Sequence, residues 1–307
     1  MGEKVATREA YGKALKEYGK KYDFYVLDAD LAKATQTVAF RNEFPDRFFD
    51  MGISEGDMIT TAAGIATCGK TVFASSFAMF AAGRAYEQIR NSIAYPNLHV
   101  IIGATHGGVL IGEDGASHQC IEDISLMRTL PNMAVAVPCD EESVYAVVDA
   151  AIKREGPVYI RMGRGAVPKV YKRKVDFEFG KGIVLQDGKD VAIMAIGDMV
   201  YEALVAAECL KENGVDAAVV DMASVKPIDK ELIIHYAKKT GKIITVEDHS
   251  IIGGLGSAVA EVVAEIGCGK IKRVGIPDCF GKSGTRDDLQ KYFSLNADEI
   301  VKSYNSF

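Results

Sequence analysis

Residues 105–119 read Thr-His-Gly-Gly-Val-Leu-Ile-Gly-Glu-Asp-Gly-Ala-Ser-His-Gln and gather acid–base groups into one glycine-rich stretch. His106 and His118 titrate near neutrality, so they can move protons or donate hydrogen bonds to hydroxyls. Glu113 and Asp114 place carboxylates between them. The stretch follows the apolar run 99–104, which reads as a buried strand. In an open parallel α/β sheet, the loop at the carboxyl end of a strand is where ligands bind. A long surface turn with incidental histidines has the same composition, and spacing alone does not separate the two readings.

Four other segments carry candidate chemistry. Gly52-Ile53-Ser54-Glu55-Gly56-Asp57-Met58 opens a helix, and Ser54 with Asp57 three residues on fits a capping box. Phe73, Phe77 and Phe80, followed by Ala81-Ala82-Gly83, are either core packing or an aromatic floor for a flat heterocycle. Arg161-Met162-Gly163-Arg164 ends a strand, where an arginine can grip a phosphate or form a surface ion pair. Glu247-Asp248-His249 precedes Gly253-Gly254-Leu255-Gly256, a glycine loop entering a helix that can bind an anion but lacks the dinucleotide spacing.

These segments need a scaffold, and the apolar periodicity supplies one. Helices are expected over 7–22, with Thr7 as cap, and over 54–68, 82–94, 121–130 and 141–154. Strands are expected over 24–28, 71–75, 99–104, 133–137 and 158–161. The rhythm breaks over 165–189, which holds Pro168, Lys172-Arg173-Lys174 and Asp187-Gly188. A second series follows: strands over 190–196, 217–220, 242–246 and 271–276, and helices over 201–213, 230–240, 256–266 and 296–304. The alternation implies α/β architecture, mainly parallel sheets with helices on both faces. The expected division is a first domain over 1–168, a linker over 169–189 and a second domain over 190–307.

Composition narrows the class. The chain has 307 residues, 48% hydrophobic and 25% charged, the profile of an ordinary globular protein of about two domains. A net charge of -6 argues against nucleic acid as partner. No apolar run approaches the roughly 18 residues of a membrane span, and the polar start carries no signal peptide. The six cysteines are scattered without a Cys-x-x-Cys pair, so neither a zinc site nor a disulfide framework is expected, and a reducing cytoplasm fits.

In combination the motifs resemble the transketolase family, specifically its C-terminal half, over nearly the whole chain. The carrying motifs are Gly-Ile-Ser-Glu-Gly-Asp-Met, then Phe-x-x-Phe-Ala-Ala-Gly, then Thr-His ending in Gly-Glu-Asp-Gly-x-x-His-Gln, then Leu-Pro-Asn-Met. The resemblance implies a pyrimidine-binding domain of a thiamine diphosphate enzyme followed by the family's C-terminal domain. By the same resemblance, Glu55 matches the catalytic glutamate that hydrogen-bonds the aminopyrimidine ring of thiamine diphosphate. Phe77 and Phe80 match positions packing on that ring; the family often has a further aromatic where this chain has Ala74. His106 and His118 match catalytic, substrate-binding histidines near the sugar hydroxyls. Asp114 matches an aspartate facing the donor's hydroxyl, and Arg164 matches the arginine that holds a sugar phosphate. No catalytic role falls to His249.

One family motif is missing. Thiamine enzymes hold the diphosphate and a divalent metal with Gly-Asp-Gly and a later Asn, through oxygen ligands. This chain has no Gly-Asp-Gly; Gly197-Asp198-Met199 lacks the second glycine and falls in the wrong domain. A one-chain transketolase would be about twice as long. The resemblance therefore implies one subunit of a split transketolase, transferring a two-carbon ketol unit between ketose and aldose phosphates. Its partner would be an N-terminal subunit carrying the diphosphate motif and the Mg2+ or Ca2+, in a symmetric heterotetramer. Part of a 1-deoxyxylulose-5-phosphate synthase is the first alternative, and Thr105-His106 with His118-Gln119 weighs against it. A beta subunit of a 2-oxo acid dehydrogenase lacks the Gly-Glu-Asp-Gly-x-x-His signature, and a non-catalytic paralogue has no reason to keep Glu55, both histidines and Arg164.

Overall fold

The computed structural model describes residues 4–307. The first half supplies strands β1 (Lys4–Ala6), β2 (Phe24–Asp28), β3 (Phe48–Asp50), β4 (Thr71–Phe77), β5 (Val100–Thr105), β6 (Ala134–Ala136), β7 (Val158–Arg161) and β8 (Ala166–Pro168). The second half supplies β9 (Ile183–Gln186), β10 (Val191–Ala195), β11 (Ala217–Asp221), β12 (Ser224–Lys226), β13 (Lys242–Ser250) and β14 (Lys270–Ile276). One sheet runs β12-β6-β7-β5-β4-β2-β3 and the other β14-β13-β10-β11-β9. Both are parallel except at one edge, where β12 and β9 pair antiparallel. A small antiparallel pair, β1 with β8, lies apart from them.

The central strands are apolar because helices cover both faces. All six residues of β5 are buried. Within it Gly103 is required: a side chain there would collide with the ring of Tyr11 from helix Thr7–Tyr18. Tyr11 is fully buried and shares a 2.8 Å hydrogen bond with Ser75 of β4, which fastens that helix to the sheet.

Several sequence expectations change. The first helix ends at Tyr18 rather than at residue 22, because Gly19, Lys20 and Lys21 turn back onto it. Thr7 is not its cap; its hydroxyl accepts the Gly163 N–H at 3.1 Å and ties the helix start to the end of β7. The helix expected over 82–94 is two π-helical stretches, Met79–Arg84 and Ile89–Ala94, around Tyr86–Gln88. Wide π turns recur beside functional sites. Within the expected linker 169–189, β9 joins the second sheet as its edge strand, a contribution that periodicity over four residues could not signal.

The two halves interlock. β12 leaves the second sheet's neighbourhood and completes the first sheet beside β6, with Ser224 opposite Ala136. Arg161, buried at the end of β7, donates to Asp123 at 3.0 Å and to the Asp248 carbonyl at 2.7 Å. The Asp248 carboxylate, buried on β13, accepts the backbone N–H groups of Val109 and Leu110 at 2.9 and 3.1 Å. Gly108 at φ +87° gives that carboxylate room, since a side chain there would overlap it.

Asp248→Ala leaves the Val109 and Leu110 N–H groups buried without acceptors. Each such orphan costs about 1–3 kcal/mol, so a loss of about 2–5 kcal/mol in unfolding free energy is expected by urea denaturation. Hydrogen exchange at Val109 and Leu110 should accelerate, and Asp248→Asn, which keeps one acceptor, should lose less. Unchanged exchange at both amides would remove the latch from this account.

Candidate active site

Glu55 begins helix Glu55–Thr67 and is 4% exposed. Ser54 makes no side-chain cap hydrogen bond, so the capping box expected of Ser54 with Asp57 does not form. The Arg84 guanidinium approaches both Glu55 oxygens, at 3.3 and 3.4 Å. Arg84 also lies over the Phe80 ring, 4.1 Å from its centroid.

β4 delivers Phe77, and the π-helical turn after it delivers Phe80, so the two rings stack at 5.6 Å. His106, at the end of β5, stacks on Phe77 with centroids 3.8 Å apart. His118 comes back from the far end of the loop and meets Phe80 edge-on at 5.2 Å. Phe73, by contrast, faces the core, packed against Phe24 and Tyr11. The structure thus brings Glu55, Phe77, Phe80, His106 and His118 together although they span 64 positions of sequence.

His106 sits at φ 59°, the left-handed region that a non-glycine residue adopts only under constraint. Its Nδ1 is 2.9 Å from the Thr105 hydroxyl. Burial first, then the positive charges of Arg8 and Arg164, push its pKa down to about 3. The imidazole is therefore neutral at physiological pH, a hydrogen-bonding group rather than a standing cation.

The middle of the loop meets basic side chains. Arg164 donates to the Ile111 carbonyl at 2.6 Å, pairs with Glu113 at 3.1 Å and lies 3.8 Å from Asp114. Arg8, on the first helix, donates to the Arg164 carbonyl at 3.0 Å and to the Ala34 carbonyl at 2.7 Å, not to a carboxylate. Burial, and then Arg164 against the opposing Glu9, holds its pKa below the usual arginine range. The two guanidinium groups lie close enough to act on each other's charge, and such a pair is able to hold a tetrahedral anion. Sequence reading missed Arg8, because nothing in its spacing links it to residue 164. The residue pattern alone left Arg161 and Arg164 undivided, and the resemblance named Arg164; the structure buries Arg161 in an ion pair and leaves Arg164 partly exposed beside Glu113.

The second domain supports this loop. The Gln119 amide donates to the Val109, Gly112 and Lys282 carbonyls, the last at 2.8 Å from the other domain. The glycine loop before helix Leu255–Ile266 does not present its N–H groups to an outside anion. Glu247 takes them, accepting from Leu255 at 2.7 Å and Gly256 at 2.8 Å. Burial raises the Glu247 pKa to about 7, against the pull of those N–H groups. His249 accepts the Ser125 N–H and bonds the Ser250 carbonyl, and burial lowers its pKa to about 4, which suits a structural role.

The fold and this site define a two-domain α/β chain whose first domain is built around a buried glutamate, a phenylalanine pair and a histidine-bearing loop. Residues 3–169 match the family profile "Transketolase, pyrimidine binding domain", and residues 180–300 match "Transketolase, C-terminal domain". The chain belongs to the transketolase family. It is 53% identical over 299 residues to a Methanocaldococcus jannaschii chain described as a transketolase C-terminal section, covering 96% of this chain and 94% of that one. It is 41% identical over 297 residues to a 6-deoxy-6-sulfo-D-fructose transketolase subunit of Clostridium sp. strain MSTE9, covering 96% and 92%. A solved split gene transketolase, described as an inactive beta4 tetramer, superposes with a TM-score of 0.92 at 52% identity, covering 98% of each chain. The family is thiamine diphosphate-dependent. The residues here fit the pyrimidine half of that cofactor: a planar N–H donor, the Arg84 guanidinium, already touches the buried carboxylate and the aromatic face together.

The neutral His106 has a consequence for stability. Its folded pKa lies below the unfolded value of about 6.5, so its contribution is full above that pH and is lost as pH falls toward 3. His106→Gln cannot take the proton. Between pH 7 and 5 the wild type should lose about 2 kcal/mol relative to this variant, read as the difference in denaturation free energies. An equal slope in both proteins would mean that His106 is protonated in the fold.

Proposed function

We propose that the chain is the C-terminal subunit of a two-chain, thiamine diphosphate-dependent transketolase that moves a two-carbon ketol unit from a ketose phosphate to an aldose phosphate. The observation that carries this reading is the convergence of Glu55, the Phe77–Phe80 pair and both loop histidines on one cluster, with Arg164 and Arg8 beside the middle of the loop. Thiamine diphosphate, when bound, supplies the carbon nucleophile and the electron sink.

In this reading Glu55 holds the aminopyrimidine nitrogen and shares its proton, while Phe77 and Phe80 support the ring. His106 and His118 hydrogen-bond the sugar hydroxyls near the reacting carbon, and Asp114 faces the donor's hydroxyl. Arg164, joined by Arg8, grips the anionic tail. Neutrality suits His106 to this work, since an imidazole can donate to one oxygen without carrying a charge into a dry site. Two arginines accept a sulfonate as readily as a phosphate, which fits a relative named for a sulfo-fructose.

The diphosphate and its Mg2+ or Ca2+ fall to an N-terminal partner subunit carrying Gly-Asp-Gly and Asn. Three points support that division: the missing motif, the relatives described as C-terminal section and subunit, and apolar surface beside Glu55, where Ile53 is 77% exposed. A symmetric heterotetramer in the cytoplasm follows from this reading. No helix among the described residues is long and apolar enough to cross a membrane.

Two experiments test the assignment. The chain alone should show no ketol transfer, and the chain with its partner should; Glu55→Gln should then reduce turnover at least a hundredfold with folding intact. Turnover near wild type would return Glu55 to a structural role. Arg164→Ala should raise KM for phosphorylated donors by the loss of a charge-assisted contact, about 1.5–3 kcal/mol, and hardly affect hydroxypyruvate. Equal losses for both donors would withdraw the phosphate assignment.

A further inference from the structure

Arg84 belongs to none of the roles above, yet it makes two contacts at the centre of the site. It donates from one nitrogen toward both Glu55 oxygens, at 3.3 and 3.4 Å, and its guanidinium plane lies 4.1 Å over Phe80. The rest of its side chain is open, 54% exposed, so no packing forces it there. The flat groups His106, Phe77, Phe80 and Arg84 follow one another, each against the next. Arg84 occupies the last place in that run.

A guanidinium and an aminopyrimidine share three properties: both are flat, both present N–H donors in the plane, and both stack on an aromatic face. We infer that Arg84 is a built-in competitor for the pyrimidine subsite, holding Glu55 and the Phe80 face until the cofactor ring displaces it. The inference rests on the assignment of Glu55 and Phe80 to the pyrimidine. Its consequence is that the chain by itself has a weakened affinity for the pyrimidine half of the cofactor, through its own side chain and not only through the missing diphosphate domain. Arg84 is thus a positioning residue: it acts on Glu55 and not on the substrate. While it is in place, both Glu55 oxygens face the guanidinium, and a ring nitrogen must displace it to reach them.

Two features make the displacement feasible. Arg84 is more than half exposed and approaches Glu55 only at 3.3 and 3.4 Å, so water competes for the guanidinium although the carboxylate is buried. Arg84 is the last residue of the π-helical turn Met79–Arg84 and more than half of its side chain faces solvent, which leaves room for an outward rotamer. Gly83, immediately before it, takes no side chain that would crowd the move; a Cβ there would meet only the Met79 methyl.

The test uses the full-length chain and thiamine, whose lack of phosphates leaves the partner's diphosphate site out of the measurement. Arg84→Met keeps the stem and removes the guanidinium. Its affinity for thiamine by calorimetry should rise about tenfold over wild type, the scale of one half-exposed ion pair with a cation–π contact. The double variant Arg84→Met/Glu55→Gln should lose that gain. Arg84→Lys, which keeps the charge but cannot lie flat on Phe80, should fall between the two single states and also guards against a folding defect in the methionine variant. Methylguanidinium added to the Arg84→Ala chain should suppress thiamine binding, as a guanidinium replaced in the same place. No gain in either neutral variant, or a gain untouched by Glu55→Gln, overturns the inference. If the complex with the partner still binds thiamine diphosphate through Glu55, only the competitor role falls; if the complex binds none, the pyrimidine assignment itself falls.

Discussion

A buried carboxylate, Asp248, holds the loop on which the site depends. Its two oxygens accept the Val109 and Leu110 N–H groups, and its backbone carbonyl receives Arg161 from the other domain. Burial works against it: removal from water raises its pKa to about 6, and the Arg161 charge and the two N–H groups offset that penalty. The arrangement is stable only when all partners are present. A loop rich in glycine has little preference of its own for one shape, so its geometry is set from outside, by a residue 139 positions away in sequence.

This explains why the second domain supports the site although its His249 does not enter it. Glu247 and His249, neighbours of Asp248, are spent internally: one closes a helix N-terminus and the other joins two backbone groups. Three successive polar residues on β13 thus hold structure together. From the same domain, the Lys282 carbonyl receives the Gln119 amide and fixes the loop's far end. Held at 109–110 and at 119, the loop can bring both histidines to the phenylalanine pair at one extreme of the site and its middle to Arg164 at the other.

The two extremes differ electrostatically. The end near His106 is aromatic and dry, which keeps the imidazole neutral and sharpens any hydrogen bond made there. The end near Arg164 is half open and carries guanidinium groups within reach of solvent, where an anionic tail can enter without full desolvation. In the proposed reading these are the reacting end and the gripping end of one sugar phosphate. Arg8 and Arg164 also contribute to the low pKa of His106, so the two ends are coupled through space.

The alternation of strands and helices was legible in the sequence, because parallel strands covered on both faces leave continuous apolar runs such as 99–104 and helices leave a period near 3.6. Glu55, Phe77, Phe80, His106, His118, Asp114 and Arg164 were legible as motif residues for the same local reason: each sits in a short segment of distinctive order. Short elements were not. β9, β12 and the helix Arg286–Tyr292 are too brief to show a period, and their pairing is decided by the other domain. Nor could spacing show that Ser54 leaves its helix uncapped, that the glycine loop's anion is the chain's own Glu247, or that Arg8 stands beside Arg164. Those outcomes rest on contacts between residues far apart in sequence, and such contacts exist only after the chain has folded. Local order chose the chemical groups; long-range packing chose which of them face one another.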